Sequence, residues 1–145
     1  MDVQPDATLF LQKKIRPTAN RLLIWQKIQA FDYAFGLADL QDALPQLDKS
    51  TLFRTLMLFV GHQLLHAVDD GSNSQKFCVC HCFEGHHHES HVHLTCRICQ
   101  KTYCLRMQQI PVVSLPEGFY VEEVSYVVKG VCPHCRKKIT KLSAY

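Results

Sequence analysis

The sequence predicts an α+β protein in two parts. The first half has the apolar spacing of helices, and the second half has the alternating pattern of strands. All eight cysteines lie at or after Cys78, and only His62 and His66 of the nine histidines come earlier. We therefore expect one domain over residues 1–70 and a second over residues 71–145, with the polar segment DDGSNSQ at their border.

Three helices and a β-hairpin are expected in the first domain. Capping and stop signals mark the helix ends, namely Thr18, Pro45, Asp48 and Gly61. The segments LLHAV and KFCVC then read as two strands around the polar turn. This order predicts a winged helix-turn-helix, in which the third helix is the recognition helix. A three-helix core without any ligand fits the same pattern.

Two features of the first half could form a surface that binds a partner. Residues 13–31 carry five basic side chains and no acidic one, although the net charge of the chain is only +3. The outer face of the third helix shows Phe53 and Met57 beside Ser50 and Arg54. Exposed aromatic side chains reduce solubility unless something covers them. A partner surface and an ordinary solvated helix face are both open interpretations.

Strands dominate the second half, and two C-x-x-C pairs stand among them. VHLTC, KTYCL and YVEEVSYVVKGVC are expected strands, which favours a small α/β domain built on a sheet. The four thiols of Cys96, Cys99, Cys132 and Cys135 predict a closed tetrahedral zinc site. The interval between the pairs exceeds the ~15–20 residues of a zinc ribbon, so the zinc is expected to staple the domain across its sheet.

A second group of metal ligands lies within residues 78–104. Strand alternation places Cys78, Cys80 and Cys82 on one side, and His91 and His93 share a side in the same way. Mixed nitrogen and sulfur ligands suit zinc. We therefore expect a second, exchangeable metal site assembled from cysteines and histidines of these strands.

Other classes of protein are disfavoured. No apolar run reaches the ~18 residues of a membrane span. The first residues, MDVQPDATLFLQKK, lack the pattern of a secretory signal, so we expect a cytoplasmic protein whose thiols stay reduced. A metal-dependent hydrolase using Glu84 or Glu89 is also disfavoured, because thiolate-rich sites tend to lack an open coordination position. We expect neither an enzyme nor a small-molecule substrate.

From about Arg16 to Cys135, the order of motifs resembles that of the ferric uptake regulator family. The motifs are the segment STLFRTL, a glycine-bearing turn, a histidine-rich stretch and two C-x-x-C pairs. The resemblance implies a homodimeric, metal-responsive repressor that binds double-stranded DNA and controls metal-homeostasis genes. It implies a winged helix followed by a dimerisation domain with a structural zinc. DNA contacts are then expected from Lys13, Lys14, Arg16, Ser50, Thr51, Phe53 and Arg54.

Within that family, KFCVCHCFEG is most similar to the zinc uptake regulators. The resemblance implies a sensor metal held by both domains, with His66, Cys80, His91 and His93 as ligands and with Cys78, His88 and Cys104 as rivals. The chain departs from the family pattern where Phe53 replaces a tyrosine, where Cys104 replaces an acidic residue, where Ser90 and Val92 replace two ligands, and where residues 33–36 lack a histidine. Zinc is the expected sensor metal, with iron(II) and manganese as alternatives. A peroxide-responsive relative and a thiol redox sensor through Cys78, Cys80, Cys82 or Cys104 are alternative functions.

Overall fold

The computed structural model describes residues 5–68, 73–79, 92–105, 113–122 and 126–142. The chain divides into two compact units, Met1–His87 and His88–Tyr145, which we call the N-terminal and C-terminal units. Both contain helices and strands, which confirms the predicted α+β class. Within the described ranges, no helix is long and apolar enough to cross a membrane.

The N-terminal unit alternates helices with short strands. Its elements are, in chain order, α1 (Pro5–Gln12), α2 (Ala19–Gln29), β1 (Phe35–Gly36), α3 (Leu37–Ala43), α4 (Lys49–Gly61), β2 (Leu65–Val68) and β3 (Lys76–Val79). The predicted caps are confirmed. The Thr18 hydroxyl accepts a hydrogen bond from the Arg21 N–H, and the Asp48 carboxylate accepts one from the Thr51 N–H.

Aromatic side chains fill the interior of the N-terminal unit. Phe10, Trp25 and Phe59 are each buried, and their rings lie 5.5–6.2 Å apart at tilted or edge-to-face angles. Phe35 and Phe77 extend this core onto the sheet. Helices α2 and α4 are therefore fixed against each other by large, well-packed rings.

The wing of the N-terminal unit is a β-hairpin in a sheet of order β1-β3-β2. Strands β2 and β3 pair antiparallel, and the register places His66 opposite Cys78. Phe77 points into the core, so the neighbouring Cys78 side chain lies on the other face of the strand. The boundary expected after residue 70 falls between these two paired strands, and both belong to the N-terminal unit.

The C-terminal unit contains β4 (Val92–Cys96), β5 (Thr102–Leu105), β6 (Tyr126–Gly130) and α5 (Pro133–Leu142). Its sheet has the order β5-β4-β6, in which β4 pairs antiparallel with β5 and parallel with β6. The buried apolar side chains described in this unit are Val92, Cys96, Cys132 and Cys135. Its small interior is therefore made largely of thiols.

Three elements were not predicted. Helix α1 starts with a proline at its first position and buries Phe10, and strand β1 is only two residues long. Helix α5 is the one helix described in the C-terminal unit, and no helix was predicted at its position. Its sequence PHCRKKITKL is mostly polar, but Pro133 at the first position and the spacing of Cys135, Ile139 and Leu142 are helical signals.

Candidate metal sites and nucleic-acid surface

The four paired cysteines come together because β4 and β6 run parallel. Cys96 ends β4 directly beside Gly130, the last residue of β6. The Arg97 N–H donates to the Gly130 carbonyl oxygen over 2.9 Å, which ties the first C-x-x-C turn to the strand that leads into the second. Cys132 precedes α5, and Cys135 lies in its first turn.

The distances between these thiols fit a tetrahedral metal. The four Sγ atoms all lie within 4.8 Å of one another, and the Cys99 and Cys132 Sγ atoms are 3.8 Å apart. A zinc ion with Zn–S bonds of about 2.3 Å requires sulfur–sulfur distances of about 3.8 Å. Cys96, Cys132 and Cys135 are buried and Cys99 is exposed, so the site lies at the edge of the unit. The cluster expected from the C-x-x-C spacing is confirmed as a site that can hold zinc.

Backbone N–H groups prepare two of these thiols for ionisation. The N–H groups of Cys132 and then Cys99 lower the pKa of Cys96 to about 6, and the N–H of Cys135 lowers the pKa of Cys132. Burial and then the neighbouring thiols raise the pKa of Cys135 to about 12. Thiolate is the form that binds metal. The two turns thus favour the thiolate form of Cys96 and Cys132. Cys135 would ionise only when a bound cation stabilises its thiolate.

His66 and Cys78 form a ligand pair in the N-terminal unit. They are cross-strand partners in the hairpin, and a His66 ring nitrogen lies within 4.8 Å of the Cys78 Sγ atom. Cys78 is buried and His66 is half-buried. One imidazole and one thiol at this distance can bind the same ion.

The C-terminal unit carries a matching pair, His93 on β4 and Cys104 on β5. These residues are also cross-strand partners, and a His93 ring nitrogen lies within 4.8 Å of the Cys104 Sγ atom. His93 is buried and Cys104 is half-buried. Each unit therefore presents one histidine and one cysteine from adjacent antiparallel strands.

Some of the predicted sensor ligands lie outside the described residues. Cys80, His88 and His91 lie outside the described residues and stay predictions. The pairing of His66 with Cys78 and of His93 with Cys104 depends on strand register. Register depends on which side chains each strand buries and on the connection between the strands, so spacing along the chain alone did not reveal these pairs.

The predicted recognition helix α4 exposes the side chains expected to contact DNA. Ser50 and Arg54 are exposed, and Phe53 has 43% of its surface exposed. Thr51 is half-buried, and its hydroxyl donates to the Asp48 carboxylate over 2.6 Å, which engages it in the helix cap. The opposite face of α4 buries Leu52, Leu56 and Phe59.

The basic residues between α1 and α2 form a second exposed feature. Lys14 and Arg16 are exposed and Lys13 is half-buried. The Arg21 guanidinium donates to the Arg16 carbonyl oxygen over 2.9 Å and holds this turn against α2. We call residues 13–16 the basic turn.

Comparisons with known proteins give the context for these sites. The model of the ferric uptake regulator family matches residues 12–115. The ferric uptake regulation protein of Synechococcus elongatus is 27% identical over 94 residues. That match covers 62% of this chain and 60% of the relative, which is less than two-thirds of the relative's length.

Solved structures share the fold over most of the chain. A zinc uptake regulator complexed with zinc and DNA has a TM-score of 0.64 at 18% identity, covering 93% of both chains. The ferric uptake regulator of Vibrio cholerae has a TM-score of 0.61 at 14% identity, covering 88% of this chain and 99% of that one.

Proposed function

Because the chain belongs to the ferric uptake regulator family, we propose that it is a metal-responsive, DNA-binding transcriptional repressor that acts as a homodimer. The observation that carries this proposal is the pair of matched ligand sets, His66 with Cys78 and His93 with Cys104, one in each unit. The DNA-binding domain extends through the hairpin to β3, beyond the boundary expected after residue 70. Cys96, Cys99, Cys132 and Cys135 hold a structural zinc.

The sensor site takes its ligands from both pairs. Each pair offers one nitrogen and one sulfur, and two pairs make the four ligands that a tetrahedral zinc site requires. Neither pair alone supplies the four ligands of a tetrahedral metal ion. An ion that uses both would link the unit bearing α4 to the unit bearing the structural zinc. Metal binding energy would then stabilise one orientation of the DNA-binding units.

Zinc is the proposed sensor metal because both ligand pairs include a thiol. Thiolates favour zinc, whereas manganese prefers oxygen ligands and iron(II) sites in proteins commonly include carboxylates. Cys104, in place of the acidic residue typical of the family, contributes one of the two thiols.

The metal dependence can be measured on full-length protein that retains its structural zinc. A duplex selected by the parent protein from a random-sequence pool is titrated at fixed concentrations of zinc, iron(II) and manganese. We expect zinc to strengthen binding at the lowest free concentration. A metal that prefers the binding form ~100-fold shifts the equilibrium by ~2.7 kcal/mol. Equal binding with and without every metal would contradict the proposed regulation.

The ligand set is tested by single substitutions. Cys78→Ser and His93→Ala should keep the fold and one zinc per chain, yet lose the zinc dependence of DNA binding. His134→Ala is the matched control, because His134 is an exposed histidine between two structural ligands and belongs to neither pair. If Cys80→Ser and His91→Ala lose the response while Cys78→Ser and Cys104→Ser retain it, the sensor uses the alternative ligands.

DNA recognition by α4 is tested at Arg54. If Arg54 contacts a base edge, Arg54→Ala should cost ~1–3 kcal/mol of binding free energy and relax the preference at one position. Arg21→Ala is not a suitable control because Arg21 holds the basic turn, whereas Gln26→Ala changes an exposed side chain of α2 with little expected effect. Unchanged affinity of Arg54→Ala would place the base-reading surface elsewhere.

A further inference from the structure

Helices α1 and α4 end in the same way. At the end of α1, the Ile15 N–H donates to the Phe10 carbonyl and the Lys14 N–H donates to the Leu11 carbonyl. At the end of α4, the Leu64 and Gln63 N–H groups donate to the carbonyls of Phe59 and Val60 in the equivalent pattern. Both ends are Schellman motifs, in which the residue after the cap adopts a left-handed backbone.

The two helix ends are joined to each other. The Nδ1–H of His62, the capping residue of α4, donates to the carbonyl oxygen of Lys13, which caps α1, over 2.9 Å. Three residues before each cap, Phe10 and Phe59 are both buried, and their rings lie 5.5 Å apart. His62 therefore connects the start of the basic turn to the end of the proposed recognition helix.

Both left-handed positions are occupied by residues other than glycine. Lys14 has a φ of 61° and Gln63 has a φ of 64°. Glycine is the preferred residue at this position of a Schellman motif, because a Cβ atom is strained there. At Lys14 the fold tolerates that strain and gains an exposed positive charge at the residue after the cap of α1.

From this geometry we propose that His62 is a positioning residue for DNA binding, which holds the basic turn so that Lys14 contacts a phosphate while α4 occupies the major groove. The proposal rests on the proposed DNA-binding function and adds a residue to it. Lys14 makes the contact, and His62 acts through the Lys13 carbonyl. Lysine occupies this strained position, where glycine would be less strained, because its charge contributes to DNA binding.

The experiment measures affinity for the duplex selected by the parent protein, across a range of salt concentrations, together with the thermal midpoint of the N-terminal unit. Loss of one phosphate contact should weaken binding roughly fivefold to tenfold at about 0.1 M salt and lower the salt slope by about 1. Lys14→Gly and Lys14→Ala should both show this loss, but only Lys14→Gly should raise the midpoint. Gln63→Gly is the matched control, because it relieves the same strain without removing a charge and should leave affinity unchanged.

His62 is tested by its coupling to Lys14. His62→Ala should weaken binding and lower the salt slope as Lys14→Ala does, and His62→Gln should restore both through its amide donor. Adding His62→Ala to Lys14→Ala should then cause little further loss of affinity, because both changes remove the same contact. If His62→Ala lowers only the midpoint and leaves the salt slope of the parent, or if His62→Gln restores the midpoint but not the affinity, the inference is wrong. If the parent binds no duplex at all, the proposed function fails together with the inference.

Discussion

The two units are held together by different chemistry. The N-terminal unit buries large aromatic and aliphatic side chains, including Trp25, Phe10 and Phe59. In the described part of the C-terminal unit, the buried cluster consists of Cys96, Cys132 and Cys135 with Tyr103 and Val131 packed against it. Apolar burial stabilises the first unit without any ligand. The described core of the second unit is small, so we expect this unit to depend on a metal held by its four cysteines.

The largest expected difference between the units follows from removing the zinc that we propose the four cysteines hold. Structural zinc sites supply about 10–16 kcal/mol of apparent binding energy in small domains. Cys96→Ser should therefore unfold the C-terminal unit and leave the N-terminal unit folded. Trp25 is the single tryptophan of the chain and is buried in the N-terminal unit, so its fluorescence should stay native while amide exchange protection in β4 and β5 is lost.

Cys104→Ser is the thiol control for this comparison. It removes a cysteine from the same sheet without removing a ligand of the four-cysteine site. The variant should keep one zinc per chain and the exchange protection of β4. A Cys96→Ser protein that lacks zinc but keeps protected amides in β4 would show that the C-terminal unit folds without metal.

The reciprocal change is Phe59→Ala in the aromatic core. Phe59 is fully buried, and its ring lies 5.5 Å from Phe10 and 5.6 Å from Trp25. Its truncation should lower the free energy of unfolding of the N-terminal unit by about 3–5 kcal/mol, because it removes apolar contacts and leaves a cavity. Urea unfolding followed by Trp25 fluorescence measures this, while the zinc content should stay at the level of the parent. Leu11→Ala, at a side chain that is 61% exposed, should change stability by less than about 0.5 kcal/mol.

The smallest expected effect lies at the cap of α4. Hydrogen bonds from the Thr51 hydroxyl and then the Thr51 N–H lower the pKa of Asp48 from 3.8. Because the folded-state pKa is the lower one, ionised Asp48 stabilises the N-terminal unit above the ordinary pKa, and this contribution is lost as the pH falls through the lowered value.

Asp48→Asn keeps a capping oxygen without the charge. The difference in free energy of unfolding between this variant and the parent should therefore change as the pH falls through this range. Asp48→Ala should be less stable than both at neutral pH, because it has no capping oxygen. The measurement is the urea midpoint of Trp25 fluorescence as a function of pH. Parallel pH profiles for the parent and Asp48→Asn would show that the cap does not depend on charge.

Local signals in the sequence predicted the parts of this structure that local chemistry decides. The caps Thr18 and Asp48 and the C-x-x-C turns act over three or four residues, and each was found from its own segment. Helix α5 was missed although Pro133 and the spacing of Cys135, Ile139 and Leu142 are local helical signals, because the segment was interpreted only through its C-x-x-C pair. The bond from His62 to Lys13 was missed because it joins residues far apart in sequence, and a lone histidine after a helix gives no sign of its acceptor.

The parallel pairing of β4 with β6 has a consequence for how the protein folds. Val92 pairs with Tyr126 across a connection of 33 residues, whereas Val68 pairs with Lys76 across a connection of seven residues. Loop closure disfavours the longer connection, and pairings between distant segments form slowly. The wing should therefore form early in refolding, and the sheet of the C-terminal unit should form late. A zinc ion that joins the turn after β4 to the start of α5 would close that connection, so the supply of metal would set the rate of the last folding step.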